Sequence, residues 1–226
     1  MLQMTDVQKR FSSGDMVTYA LRDFSLTIDE GEFVAVEGPS GAGKTTFLNV
    51  AGLLEEMDAG QYILAGQDIS TMSDGQRSRI RNEHIGFVFQ SFNLISDMTA
   101  AANIELPLRM RKMSASERRS RVDWALDQVG LTSRADHFPG KLSGGQQQCI
   151  AIARAIAGSP SVLLADEPTG NLDSVTARQI TGILERINSD GTTIVMVTHS
   201  QDTAVIASRR ITVRDGQLEV AEDRAA

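Results

Sequence analysis

The sequence predicts an α/β fold built on a mainly parallel sheet, and three observations carry that reading. Phe33-Val34-Ala35-Val36, Val162-Leu163-Leu164-Ala165 and Thr193-Ile194-Val195-Met196-Val197 are short, nearly continuous apolar runs, as expected of strands buried on both faces. Between the last two, Ile180, Ile183, Leu184 and Ile187 mark one face of a helix that stops near Gly191, so strand, helix and strand follow in the order of a right-handed crossover. The first run leads through a glycine-rich turn into a helix from about Lys44 to Gly52.

The other elements follow in chain order. Leu26 and Ile28 alternate with polar residues before the turn Asp29-Glu30-Gly31-Glu32, and Tyr62-Ile63-Leu64 is a strand closed by Ala65-Gly66-Gln67-Asp68. The first third is thus mostly strand, an N-terminal antiparallel β subdomain. Ser73 with Gln76 and Ser114 with Glu117 fit capping boxes. The second opens a helix with apolar Val122, Ala125, Leu126 and Val129, and Gly130 ends it. Ser91 to Gly140 is rich in Met and Arg and poor in β-branched residues, and reads as a helical subdomain (about 91–140) inserted into one domain spanning 1–226. Strand Ile85 to Phe89 precedes it. Ile211-Thr212-Val213 and Leu218-Glu219-Val220 flank Asp215-Gly216, a hairpin signal, and the tail from Glu222 to Ala226 is expected to fray.

Composition narrows the class. With 226 residues, 41% hydrophobic and 23% charged, the chain has the usage of a globular protein, not a disordered one. The net charge of −7 sets it against nucleic acid unless a basic face is built locally. One cysteine, Cys149, excludes an internal disulfide framework. No apolar run approaches the ~18 residues of a membrane span, and Met1 to Asp6 lack a basic start and an apolar leader core. The expected compartment is the cytoplasm, with any membrane crossing left to another chain.

Gly38-Pro39-Ser40-Gly41-Ala42-Gly43-Lys44-Thr45 matches G-x-x-x-x-G-K-[ST] between a strand and a helix, the context a phosphate cradle needs. Its glycines let several N–H groups turn to one anion, the helix start adds its positive dipole, Lys44 brings a charge to the β- and γ-phosphates, and Thr45 offers a hydroxyl to Mg²⁺. Thr46 is counted with the cradle. Asp166, ending an apolar strand, fits a Mg²⁺-holding aspartate, and Glu167 could polarise a water for attack on the γ-phosphate. Leu142-Ser143-Gly144-Gly145-Gln146 opens a second helix, Gln146 to Ala157, with a hydroxyl and free N–H groups at its start.

With these three motifs in this order, nearly the whole chain resembles the ATP-binding subunits of ABC transporters. The resemblance implies a P-loop, RecA-like core that binds ATP and Mg²⁺ and hydrolyses ATP. It implies Tyr19 as the aromatic on adenine, Gln90 as the Q-loop glutamine reaching Mg²⁺ and the attacking water, and Ser143, Gly144 and Gly145 as the signature loop. It further implies Asp173, in Pro168-Thr169-Gly170-Asn171-Leu172-Asp173, as the D-loop aspartate, and His199 as the switch histidine on the γ-phosphate. His84 and His137 read as ordinary satisfied side chains. Where the family carries arginine after the signature glutamines, Cys149 stands; this weakens a structural ion pair without removing a phosphate donor, and Cys149 reads as a small helix residue.

Phe89-Gln90-Ser91-Phe92-Asn93-Leu94, Ile104-Glu105-Leu106-Pro107-Leu108 and Thr169 to Ser174 are similar to lipoprotein-releasing and macrolide- or peptide-export ATPases, and the cell-division ATPase is an alternative. The implied partners are a membrane permease, holding the chain at the inner membrane face, and a second copy in an ATP-sandwich dimer, with no nucleic acid. The basic run Arg109, Arg111, Lys112, Arg118, Arg119, Arg121 reads as a solvated helical face or as a docking surface for an acidic permease patch or lipid headgroups. The rivals lack support: a DNA-repair relative would insert long coiled coils, a translation relative would join two cassettes, and a small-molecule kinase would carry no Leu-Ser-Gly-Gly-Gln.

Overall fold

The computed structural model describes residues 1–14 and 16–223. Its main sheet contains β3 (Phe33–Glu37), β6 (Ile85–Val88), β7 (Val162–Asp166), β8 (Thr193–Val197), β9 (Arg209–Arg214) and β10 (Gln217–Asp223), in the spatial order β10-β9-β3-β8-β7-β6. From β9 to β6 every pairing is parallel, and β10 closes the edge as an antiparallel hairpin. A second, antiparallel sheet holds β1 (Leu2–Ser13), β2 (Met16–Ile28), β4 (Ala59–Leu64) and β5 (Gln67–Asp68), in the order β2-β1-β4-β5.

The main sheet is apolar on both faces because each face meets its own layer. Val34, Val36, Leu164, Val195 and Val197 pack toward the second sheet and α1 (Lys44–Ala51), whose Phe47 ring lies 5.1 Å from that of Phe24. Phe33, Ala35, Leu163, Ala165 and Met196 face α5 (Gly144–Ile156) and α6 (Ser174–Ser189). The alternation along β3 is the two-residue period of a strand with two buried faces. Buried Tyr62 donates its hydroxyl proton to Ala51 O at 2.6 Å, tying the second sheet to the end of α1.

Between β6 and α5 lie α3 (Ala100–Arg109), α4 (Ala115–Gln128) and two 3-10 turns, Thr132–Arg134 and Pro139–Lys141; α2 (Asp74–His84) stands ahead of β6. Ile104, Leu108, Val122, Ala125 and Leu126 join the α5 core. The Ser114–Glu117 capping box forms, with Glu117 accepting from Ser114 N at 2.7 Å, and Gly130 takes φ 69 just beyond the helix.

Three local expectations change. β6 ends at Val88, leaving Phe89 and Gln90 in the loop. Gln67 and Asp68 form β5 because Ala65 and Gly66 (φ 48 and 76) make a hairpin turn. Glu222 and Asp223 continue β10 opposite Arg210 and Arg209, so the fraying reading fails for them, while its remaining residues, 224–226, lie outside the described residues.

Candidate nucleotide site at the sheet edge

Four of the motif segments leave the same, C-terminal edge of the parallel sheet: Gly38 follows β3, Gln90 follows β6, Asp166 ends β7 with Glu167 just beyond it, and His199 follows β8. Register makes this a line, since Val197 pairs with both Val36 and Asp166. Loops gathered at strand C-termini are the usual ligand crevice of an open α/β sheet.

The glycine-rich turn is shaped by contacts that exclude side chains. A Cβ on Gly38 (φ 144) would fall 2.1 Å from Val213 O, and one on Gly43 (φ 103) would fall 2.4 Å from Ala20 O. The Asp215-Gly216 hairpin clamps the turn, with Gly216 N donating to Ala42 O at 2.9 Å. Every other helix of eight residues or more among the described residues starts at Ser, Thr or Asp; α1 starts at Gly43, with no side-chain cap and no acid in its first turn. Its first N–H groups are thus not committed to a side-chain acceptor, as an anion site requires. Lys44 Nζ donates to Gly38 O and Pro39 O at 2.7 and 2.8 Å, which curls the lysine over the turn. Thr45 is exposed, and Ser40, Gly41 and Thr46 complete the rim.

Asp166 is half-buried beside this turn. Burial first, and then the charge of Glu167, pushes its carboxyl above the ordinary carboxylate range, while the Lys44 charge pulls it back. Glu167 stands in the left-handed region (φ 46), a conformation that costs a non-glycine residue on the order of 1 kcal/mol. Its N–H donates to Val197 O at 2.9 Å, and its Oε1 lies 2.8 Å from His199 Nδ1. A carboxylate can only accept, so Nδ1 carries the proton. Nε2 is then an acceptor in neutral imidazole and a donor only in imidazolium, the form that can hydrogen-bond a phosphate oxygen.

Gln90 and Asn171 are interlocked: Gln90 Nε2 donates to Asn171 Oδ1 at 3.3 Å, and Asn171 Nδ2 donates to Gln90 O at 3.2 Å. Sequence reasoning passes over Asn171 as a site residue. Tyr19, on β2, is 40% exposed, with the Arg22 guanidinium 5.0 Å from its ring centroid. The next residue, Ala20, touches Gly43 through its carbonyl, which sets Tyr19 beside the cradle.

Ser143, Gly144 and Gly145 stand elsewhere. Ser143 caps α5, its Oγ accepting from Gln146 N at 3.3 Å, so its hydroxyl proton is free to donate. Gly144 and Gly145 meet Phe92, Leu172 and Thr176, none of them from the Gly38–Thr45 turn. Asp173 is used locally: Oδ1 accepts from Val175 N and Thr176 N, both at 3.0 Å, and Oδ2 from Thr176 Oγ1 at 2.6 Å. These bonds, led by the Thr176 hydroxyl, hold its carboxyl below the usual range.

The basic run is not a free solvated face. Arg109 and Arg118 both bond Glu105 (2.8 and 2.7 Å), Arg111 bonds Asn82 and Gly158 O, and Arg121 bonds Ser159; only Lys112 and Arg119 lack a partner among the described residues. His84 and His137 are satisfied by Ser161 and Arg134. Burial pushes the Cys149 thiol up to about 11, so it is a packing residue at pH 7.

Comparison with known proteins follows the same lines. Residues 21–170 match the family described as ABC transporter. The chain is 44% identical over 218 residues to the ABC transporter ATP-binding protein MJ1508 of Methanocaldococcus jannaschii, covering 96% of this chain and 97% of that one. It is equally identical (44%) to YvrO of Bacillus subtilis, covering 96% and 95%. It is 41% identical to the macrolide export ATP-binding/permease protein MacB 2 of Aeromonas hydrophila, covering 97% of this chain but 34% of that one. Among solved structures, the cassette MJ0796, described as a dimer in a post-hydrolysis state bound to ADP and Pi, superposes with a TM-score of 0.91 at 42% identity over 100% of both chains.

Proposed function

The chain belongs to the ABC transporter family and is an ATP-binding, ATP-hydrolysing cassette; from that premise we propose that it drives a membrane permease carried on a separate chain, as a dimer with ATP between its two copies, and exports or extracts a lipoprotein, peptide or macrolide-like molecule. The separate permease is supported by relatives named as ATP-binding proteins that this chain matches along 95–97% of their length. The export reading is supported by the MacB proteins, named as macrolide export ATP-binding/permease proteins, of which this chain covers about a third. The protein would then sit on the cytoplasmic face of the membrane through that permease.

The single observation that carries the catalytic reading is the convergence of Lys44, Asp166, Glu167 and His199 on one sheet edge, beside a helix start with no side-chain cap. In it, Gly38 to Thr46 hold the phosphates, Tyr19 the adenine, Glu167 accepts the proton of the attacking water, and His199 and Gln90 orient the γ-phosphate side. Mg²⁺ fits the donor set: among the described residues no cluster of three or more His, Cys, Asp or Glu could form an all-protein cage. One carboxylate, Asp166, with the Thr45 hydroxyl and the Gln90 amide is the sparse set that Mg²⁺ shares with phosphates and water. The ion would neutralise charge on the transferring phosphoryl group.

The two anion-binding helix starts do not meet within one chain. In the dimer, Ser143 to Gly145 of one copy close over the cradle of the other, and two-fold symmetry makes two such sites. A groove of about 1120 Å³ between α2, β6, α3 and α5 suits the permease. Apolar Phe87, Leu106 and Met110 line it among cationic Arg79, Arg111 and Lys112, which fits a cytoplasmic helix carrying apolar and acidic residues.

Two substitutions test the catalytic reading. Lys44→Ala should weaken Mg-ATP binding tenfold or more, because a charge-assisted contact contributes about 1.5–3 kcal/mol. Glu167→Gln should bind ATP normally yet hydrolyse it about 10²–10⁴-fold more slowly. Wild-type turnover by Glu167→Gln would remove Glu167 from the mechanism.

A further inference from the structure

Glu167 keeps its left-handed backbone through a small set of bonds. Two are main-chain: its N–H to Val197 O, and Gly170 N to its carbonyl at 3.0 Å. The next residue, Pro168, has no N–H, so its carbonyl is its only polar handle. That carbonyl accepts from Gln148 Nε2 at 2.7 Å. Gln148 lies in α5 and is 0% exposed. Its Oε1 has no partner among the described residues. A buried amide with one orphaned atom is a poor packing choice, because Met or Leu fills similar space with no polar group to desolvate. What glutamine adds at this position is one short bond to the residue that follows Glu167. The same helix carries Ser143 as its cap five residues earlier, roughly 7.5 Å along the axis.

We propose that Gln148 is a positioning residue for ATP hydrolysis. By holding the Pro168 carbonyl, it fixes the Pro168–Thr169 peptide, one residue past Glu167, and through the rigid proline ring constrains where the Glu167 carboxylate stands against His199. It also ties that carboxylate to the helix whose first residues bind phosphate in the partner's site. The inference rests on the reading of Glu167 as the group that takes the water's proton.

The test is a double-mutant cycle on the full chain. Gln148→Met should lower kcat about tenfold, as expected for the loss of one buried hydrogen bond expressed in the transition state. Its Mg-ATP affinity, from equilibrium titration, should stay within about twofold, since the cradle is untouched. In the Glu167→Gln background, Gln148→Met should cause no further loss in single-turnover rate, because its effect passes through the missing carboxylate. An equal further loss in that background, wild-type kcat for Gln148→Met, or a matching loss of ATP affinity would each overturn the proposal. Normal hydrolysis by Glu167→Gln alone would overturn the underlying reading and this one with it, a different signature.

If Gln148→Met does not fold, Gln148→Glu carries the test. A glutamic acid at that position can donate to Pro168 O only when protonated, and burial raises its pKa. Its kcat relative to wild type should therefore rise as pH falls from roughly 8 to 6, whereas a flat ratio would count against the bond.

Discussion

Cys149 shows what a single departure from a motif does to its surroundings. The resemblance to the ABC family implies an arginine there, and the thiol that stands in its place is partly buried against the α5 core. Desolvation raises its pKa to about 11, so very little thiolate exists at pH 8. Alkylation by iodoacetamide should accordingly be about hundredfold slower in the folded protein than in urea-unfolded chains at that pH, and should accelerate as pH rises. Rapid labelling of the folded state would show an exposed thiol instead. Asp166 and Glu167 make the complementary point. Adjacent in sequence, they differ in surroundings: burial acts on the first, and the second lies against a histidine.

Helices and turns carry the next level of specification. Asp173 acts as the cap of α6, and its lowered carboxyl pKa has a consequence for stability. A carboxylate with a folded pKa below its unfolded value stabilises above the unfolded pKa and loses that contribution as pH falls toward the folded one. Asp173→Asn keeps the acceptor but removes this titration, so its melting temperature should fall less steeply than the wild type's below about pH 4. In the cradle, glycines at neighbouring positions answer to different constraints. A Cβ added to Gly41 (φ 79) would meet nothing within 4 Å, whereas one on Gly43 would fall 2.4 Å from Ala20 O. Gly41→Ala therefore carries only left-handed strain of roughly 1 kcal/mol. Gly43→Ala must displace β2, and should lower the nucleotide-free melting temperature clearly further; equal shifts would contradict the clamp.

At the scale of the whole molecule, the separation of Ser143 from the cradle is the organising fact. In the proposed dimer, a site split between copies would couple association to nucleotide state. Glu167→Gln should be dimeric in ATP and at least partly monomeric in ADP by light scattering. Mixing Lys44→Ala chains with Ser143→Arg chains should restore part of the activity each lacks, because one of the two composite sites is then intact. No rescue at any ratio, with monomers in ATP, would exclude the shared site. The groove makes a separate prediction. Met110, 82% exposed on its rim, should tolerate Met110→Asp with unchanged basal hydrolysis but lose stimulation by the permease.

The fold class and the ordered site motifs were legible in the sequence because both rest on local rules. Apolar runs, capping boxes and the spacing of Gly38 to Thr45 are set by residues within a few positions of one another. What the tertiary structure alone decided are the meetings of residues far apart. Gln148 reaches Pro168, Asn171 reaches Gln90 across 81 positions, and Arg154 holds Phe92 O and Asn93 O across the helical insertion. The basic run looked free in sequence, since nothing in its spacing reveals that Glu105, Asn82 and Ser159 neutralise or bond most of it. Asp173 could be placed beside the site by its motif, but not assigned to capping α6, because local bonding and ligand contact ask for the same residue type. Sequence pattern reports which groups are supplied; three-dimensional packing determines which of them are already spent on one another.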